Sequence, residues 1–356
     1  MGKTYNVLIM GAAYGSLLAT KLVAAGHAAK LVCLPEEAEL INKEGVIIRM
    51  PIRGREELLE VASRKLKGRL SAGGPSDAVP AEYDLVVLAM QEPQYRLAGV
   101  RELLGRVAGA RVPCMSIMNM PPPPYLVRIP GLDTRPTRSA YTDAAVWDGF
   151  DPQLLTLCSP DPQAFRPPQD KLNVLQVRLP TNFKAARFAA DAPTRILREL
   201  AADIEAVRFD TADGRIELPV KLKVHESVFV PLAKWSMLLA GNYRCVAKDS
   251  VRPIRDAVHG DLTAARAVYD WVVELCVRLG ADRKDLVPFA KYADAALLLA
   301  TPSSAARALA NGAHYIERVD RLVQIIAAGK GMHNDEIDRT VVLVDGWLER
   351  NRKQPS

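Results

Sequence analysis

Two stretches carry residues whose types and spacing could do chemistry. The first is NVLIMGAAYGSLLATKLVAAGH, residues 6–27. An apolar strand runs into a loop of small residues and then a helix, a layout that holds a pyrophosphate on backbone amides at a helix N-terminus. Of the pattern G-x-G-x-x-G the chain keeps Gly11, places Ala13 and Ser16 at the second and third positions, and carries Gly15 one place early. Gly11 supplies the tight turn. Ala13 adds one methyl where the backbone approaches phosphate, and Ser16 is small enough for the helix to pack on the strand. Gly15 adds slack. Amides need no particular side chain, so the loop is expected to hold a dinucleotide, although small residues here also serve plain strand–helix packing. The next strand ends in CLPEE. A carboxylate at such an end bonds the 2′-hydroxyl of NAD, and an arginine accommodates the 2′-phosphate of NADP. Leu34 and Pro35 do neither. Glu36 can reach a ribose hydroxyl, or it opens the following helix, where the dipole favours a carboxylate.

The second stretch is VFVPLAKWSMLLAG, residues 228–241. Lys234 stands there between Leu232, Ala233, Trp235 and Met237. Reducing a ketone requires a hydride donor and a group that stabilises and then protonates the developing alkoxide. A desolvated lysine can do both, because burial lowers its pKa toward neutrality. The alternative is a lysine whose stem is buried and whose ammonium snorkels to water.

The elements that must position these groups follow from hydrophobic periodicity. YNVLIM, AKLVCL, DLVVLAM (Asp84 to Met90) and RVPCMSIMN (ending at Asn119) read as strands, with near-continuous apolar runs expected of parallel strands covered on both faces. Ser16 to Ala25 reads as a helix closed by Gly26. Such alternation predicts a doubly wound α/β sheet of Rossmann type. The four prolines of MPPPPYLVRIPG break it. They form either a rigid connector or a loop at the carboxyl edge of the sheet, where ligands bind. Short strands are expected from about Arg138 to Val177. From Lys184 the pattern turns helical. KAARFAADAPTRILRELAADIEAV predicts two helices broken before Pro193, and residues 226–247, 263–280, 302–312 and 314–331 predict four more. The expected division is a dinucleotide-binding domain over 1–182 and an all-helical domain over 183–356.

Composition narrows the function. Lys and Arg number 47 against 41 Asp and Glu, interspersed, with no basic block, which argues against nucleic acid. No apolar run is long enough to span a membrane. The five cysteines form no C-x-x-C pair and read as buried thiols of the reducing cytoplasm. The histidines show no metal-ligand spacing, so no metal is expected. The Gly-Ala break in the apolar N-terminus argues against a signal peptide.

Over most of its length the order of these pieces resembles the ketopantoate reductase (2-dehydropantoate 2-reductase) family. GAAYGS lies where that family has its glycine loop. SIMNMP resembles its strand-end segment, with Asn119 on the asparagine beside the nicotinamide. LAKWSMLLAGNYRCV resembles the helix of its catalytic lysine, which falls on Lys234. Asn242 matches the second asparagine of that helix, and Leu238 stands where the first would be. PSSAARALANGAHYIERVDRL resembles its serine-then-glutamate segment, with Ser304 on the serine and Glu317 on the glutamate. On an unbroken helix Asn242 lies about 80° round from Lys234. Ser304 could equally cap its helix, and Glu317 could equally pair with Arg321 at i+4.

The resemblance implies an NAD(P)-dependent reductase of a 2-oxo acid, with Lys234 as general acid, Glu317 beside it, and Asn242 and Ser304 on the substrate. It also implies NADP, and a homodimer. The family's basic groups around the phosphates fall on Met90-Gln91 and on Leu34. Their loss predicts a weak or reversed preference for NADP over NAD, unless residues such as Lys43 or Arg49 compensate; NAD therefore stays open. Leu238 and the extra sequence between about Asp210 and His225 leave room for an opine-type or imine dehydrogenase, and the altered loop for a nicotinamide-binding sensor without turnover.

Overall fold

The computed structural model describes residues 3–212 and 214–353. The chain divides into two compact units. One holds the chain up to Met90, Gln94–Tyr125 and Ala145–Glu226; the other holds Gln91–Pro93, Leu126–Ala144 and everything from Ser227 onward.

The first unit opens with β1 (Asn6–Met10), α1 (Ala12–Ala24), β2 (Ala28–Val32) and α2 (Pro35–Glu44). Then come β3 (Ile47–Met50), β4 (Leu59–Ala62), β5 (Arg69–Gly73), β6 (Leu85–Leu88), α3 (Ala98–Gly109) and β7 (Cys114–Ile117). After a helical turn, α4 (Pro123–Leu126), follow β8 (Leu155–Ser159), β9 (Gln163–Phe165), β10 (Val174–Leu179) and β11 (Phe183–Ala186). Helix α5 (Asp191–Ala206), the hairpin of β12 (Phe209–Thr211) and β13 (Gly214–Ile216), and β14 (Leu222–His225) complete it.

An eight-stranded sheet has the order β14-β11-β8-β7-β6-β1-β2-β5. It is parallel from β8 through to β5. Only the β11–β8 pairing is antiparallel. β1 and β6 are central, and every residue from Val7 to Met10 and from Leu85 to Leu88 is buried, which is why both read as unbroken apolar runs. A smaller sheet, β4-β3-β10-β9, flanks it.

The expected doubly wound sheet is present, but the expected boundary near 182 is not where the units divide. Residues 183–226 belong to the first unit. Phe183 and Ala185 turn inward while Lys184 reaches Asp161, a period of two that fits a strand, and β11 pairs with both β8 and β14. A single helix, α5, replaces the predicted pair. The extra sequence after Asp210 supplies the β12–β13 hairpin and the edge strand β14; Asp213 within it lies outside the described residues. The four-proline run, Pro121–Pro124, is buried and curls into α4 just beyond the carboxyl end of β7. It is therefore an edge turn and not an exposed spacer.

The second unit is helical: α6 (Lys234–Met237), α7 (Ile254–His259), α8 (Leu262–Arg278), α9 (Phe289–Ala296), α10 (Ser304–Ala310), α11 (Val319–Ala328) and α12 (Asp335–Lys353). Among the described residues no helix is long and apolar enough to cross a membrane. All five cysteines are free thiols.

One buried charge ties the extra segment down. Lys21 on α1 is 1% exposed. Its Nζ donates to the carbonyl oxygens of Pro219 at 2.7 Å and Leu218 at 3.4 Å. The next residue, Val220, sits at φ 63°, a left-handed conformation that costs a β-branched residue strain. The amine thus fixes the turn that feeds β14.

Burial, with Lys221 nearby, lowers the Lys21 pKa from 10.5 to about 7. Between those values the unfolded chain keeps a proton that the folded chain has released, so stability rises with pH from about 7 toward 10.5. The slope is on the order of 1.4 kcal/mol per pH unit at most. Lys21→Met removes this contribution. Urea titrations of both proteins from pH 6.5 to 9.5 should show the parent gaining stability relative to the variant as pH rises; parallel curves would contradict it.

Candidate functional site

The loop after β1 is built by a close approach of three strands. Gly11 N–H donates to Val32 O at the end of β2. Its φ is 104°, and a Cβ added there would lie 2.6 Å from Met90 Cγ and 2.8 Å from Ala89 O. Only glycine fits. The first-turn amides of α1 then open at the carboxyl edge of the sheet, a setting that suits an anion. Ala13 is exposed in the first turn of α1. Gly15 does more than add slack: a Cβ there would fall 2.5 Å from Ile9 Cγ2, so Gly15 is where helix and strand pack closely. Ser16 is buried and bonds back to Ala13 O at 3.3 Å.

The other expected cofactor residues lie along the same edge. Met90 follows β6, packs against Gly11 and donates its N–H to Tyr95 Oη at 3.2 Å. Gln91 is exposed. Asn119 is half-buried, two residues past the end of β7. Glu36 is exposed in the first turn of α2, whereas Glu37 beside it is buried. Gly11, Met90 and Asn119 thus stand at the ends of three adjacent strands, and these residues fit a dinucleotide laid across the edge. The bases considered as compensation are elsewhere. Arg49 is paired with Glu60 and Asp170, both at 2.7 Å, and Lys43 is in the last turn of α2, at its far end.

In the second unit Lys234, Asn242, Tyr243 and Glu317 belong to one construction. The apolar segment is a composite helix: a 3₁₀ turn at Pro231–Ala233, α6, a π turn at Leu238–Asn242 and a 3₁₀ turn at Tyr243–Cys245. Pro231 is tolerated because it opens the helix. A π turn inserts one residue without the usual advance. Asn242 therefore takes the angular place of the seventh residue beyond Lys234, within roughly 20° of the lysine's direction and not 80° away. Both residues are half-buried, while Leu238 is buried in the core.

The π turn has a visible cause. Tyr292 Oη donates to Met237 O at 3.0 Å. A Cβ on Gly241 would lie 1.9 Å from that hydroxyl. Glycine leaves the room that the tyrosine fills.

Glu317 precedes α11 and does not pair with Arg321, which bonds Asp345 instead. It is 6% exposed. Tyr243, next to Asn242, donates to Glu317 O and accepts from Val319 N–H at 3.0 Å. Glu92 N–H reaches Glu317 Oε1 at 3.4 Å, and the Glu92 carboxylate accepts from Thr142 N–H and Oγ, each at 2.9 Å. Burial raises the Glu92 pKa, against those bonds. Arg318 and the fully buried Asp320 pair at 2.9 Å and fix the start of α11.

The helix cap expected of Ser304 is made by Ser303. Its Oγ accepts from Ala306 N–H at 3.1 Å and donates to Asn242 O at 2.7 Å. Ser304 is exposed as the first helical residue. Sequence reasoning missed Tyr243, Tyr292 and Glu92, whose partners are distant in the chain, and Ser303, which only the local turn geometry separates from Ser304. It also missed a surface trio, in which His333 meets Asp335 at 2.9 Å and Asp338 at 3.1 Å. Both imidazole nitrogens face carboxylates at the protein surface.

No protein-family profile matches the sequence, and no curated protein does. Solved structures do match over nearly the whole chain. A protein from Ralstonia solanacearum, provisionally assigned as a ketopantoate reductase, is 14% identical with a TM-score of 0.67, over 98% of this chain and 99% of the other. A 2-dehydropantoate 2-reductase from Methylococcus capsulatus is 14% identical with a TM-score of 0.62, over 98% of each. D-mandelate dehydrogenase with NADH and anilino(oxo)acetate is 12% identical with a TM-score of 0.61, over 98% of this chain and all of the other. The chain has the fold of these proteins: a Rossmann-type unit joined to a helical one.

Gly241→Ala should cost about 1–3 kcal/mol, as overpacking does. In a Tyr292→Phe background the hydroxyl that clashes is gone, so the cost should shrink. A double-mutant cycle by urea denaturation reads this as coupling. Additive costs would remove the tyrosine as the support of the π turn.

Proposed function

We propose that the chain is an NAD(P)-dependent reductase of a 2-oxo acid. The observation that carries this reading is the π turn, which sets an amide and a lysine on one face of a composite helix, in a chain that also keeps a glycine turn at the carboxyl edge of a parallel sheet. The whole-length likeness to ketopantoate reductases and D-mandelate dehydrogenase supports it.

A bound nicotinamide would supply the hydride. The chain's own work begins with holding it. Amides after Gly11 face the pyrophosphate, Ala13 and Ser16 flank that turn, Met90 and Gln91 border it, and Asn119 orients the nicotinamide amide. Lys234, as an ammonium, stabilises negative charge on the substrate carbonyl oxygen and gives its Nζ proton to that oxygen. Asn242 donates from the same helix face. Glu317, held by Tyr243, accepts from a hydroxyl or ammonium of the substrate, and Ser304 lies at the rim. Buried Leu238 offers no donor, which favours a substrate with an apolar group there over one with a hydroxyl. A homodimer in a reducing cytoplasm belongs to the same reading.

A panel of 2-oxo acids with NADH and NADPH tests it, with oxidation of either cofactor as readout. Binding without oxidation across the panel would favour a sensor.

On the substrate so found, Lys234→Ala should lower kcat and kcat/KM together by at least about 100-fold. Its cofactor affinity should stay near that of the parent. Lys234→Arg should not rescue it, because an arginine stays protonated and places its charge differently. Asn242→Ala and Glu317→Ala should act more through KM. A Lys234→Ala protein that keeps most of its turnover would return the lysine to a snorkelling role.

A further inference from the structure

The basic group missing at Leu34 has a counterpart from another part of the chain. Arg166 follows β9 directly, and its guanidinium pairs with Glu37 in the first turn of α2. The pair is largely buried, with Glu37 9% and Arg166 27% exposed at the side chain. Leu34, by contrast, is 74% exposed. One further contact and the position of α2 place the pair at the carboxyl end of β2, since α2 begins three residues after Val32. Tyr14 in the first turn of α1 donates through its hydroxyl to Pro162 O at 2.7 Å, so the segment leading into β9 runs beside the glycine loop. Both charges of the pair also act on the thiol of Cys33, the residue just after β2.

This is the place at which a dinucleotide-binding fold reads the adenosine ribose. We propose that the Glu37–Arg166 pair reads that ribose and selects NAD(H) over NADP(H). The inference rests on the nicotinamide reading above. A ribose with two free hydroxyls donates to the Glu37 carboxylate and accepts from the Arg166 guanidinium while the ion pair stays intact. A 2′-phosphate cannot do this. Its dianion would stand against the buried carboxylate and would have to take the guanidinium away from it. Arg166 therefore brings the cation that NADP needs, and Glu37 withholds it. The selecting element comes from β9, about 130 residues beyond α2, and neither residue shows the role in its local sequence.

The experiment is calorimetric titration of the whole protein with NADH and with NADPH, for the parent, E37Q and R166Q, each checked for folding by thermal melting. Activity is not needed. The parent should bind NADH more tightly. E37Q frees the guanidinium, so the ratio of Kd for NADPH to Kd for NADH should fall about tenfold or more. R166Q leaves the carboxylate alone, so the same ratio should rise by a similar factor. The two variants move one ratio in opposite directions, and either alone suffices if the other does not fold. A ratio within about twofold of the parent's in a folded variant, with both cofactors bound, would overturn the inference and leave the nicotinamide reading standing. Failure of the parent to bind either cofactor would overturn both.

Discussion

The second unit turns on one shared carbonyl. In an unbroken α-helix Met237 O would serve only the residue four places on. Here Tyr292 also donates to it, where the helix widens into a π turn. A group of polar contacts gathers at that turn. Asn242 comes round toward Lys234, its carbonyl meets Ser303, and Tyr243 reaches Glu317 and Val319. A residue with any side chain at 241 would close the space. A π turn is poorer in energy than an α turn and survives only where surrounding packing holds it.

The first unit applies the same logic at its own centre. β1 is buried between β2 and β6, and two glycines let the backbone crowd there: Gly11 against Ala89 and Met90, Gly15 against Ile9. The crowding lies where β1, β2 and β6 end side by side. The costs of burying charge are offset locally, though only in part, in both units. Lys21 is satisfied by two carbonyls, Glu92 by Thr142, and Asp320 by Arg318. Only the last of these pairs is close in sequence, two residues apart.

What could be read from sequence was whatever depends on local periodicity. β1, α1, β2, β6 and β7 were legible because each is a central strand or a helix with a clear apolar pattern. β11 and β14 were not, because a four-residue strand with lysines on one face gives too short a pattern to distinguish from a helix end. Lys234, Asn242 and Glu317 could be singled out as candidates from a resemblance in spacing. Their arrangement could not, because the π turn is imposed by Tyr292, 55 residues beyond Met237. Ser303 and Ser304 are adjacent and chemically alike, and only the turn geometry decides which one caps. Glu36 and Glu37 pose the same ambiguity. The outcome is set by Arg166, which lies 129 residues on from Glu37.

The way the chain is threaded through its two units bears on how it can be made. It passes from one to the other after Met90, Pro93, Tyr125, Ala144 and Glu226. No single cut yields either unit whole. During synthesis the ribosome delivers the central strands early, yet β11 and β14 at one side of the sheet emerge only after residue 186 and residue 225. Until then β8 presents an unpaired edge, a template for misassociation. Long-range pairing of this kind delays folding. The eight-stranded sheet of the first unit therefore cannot close on that side until residue 225 has been made.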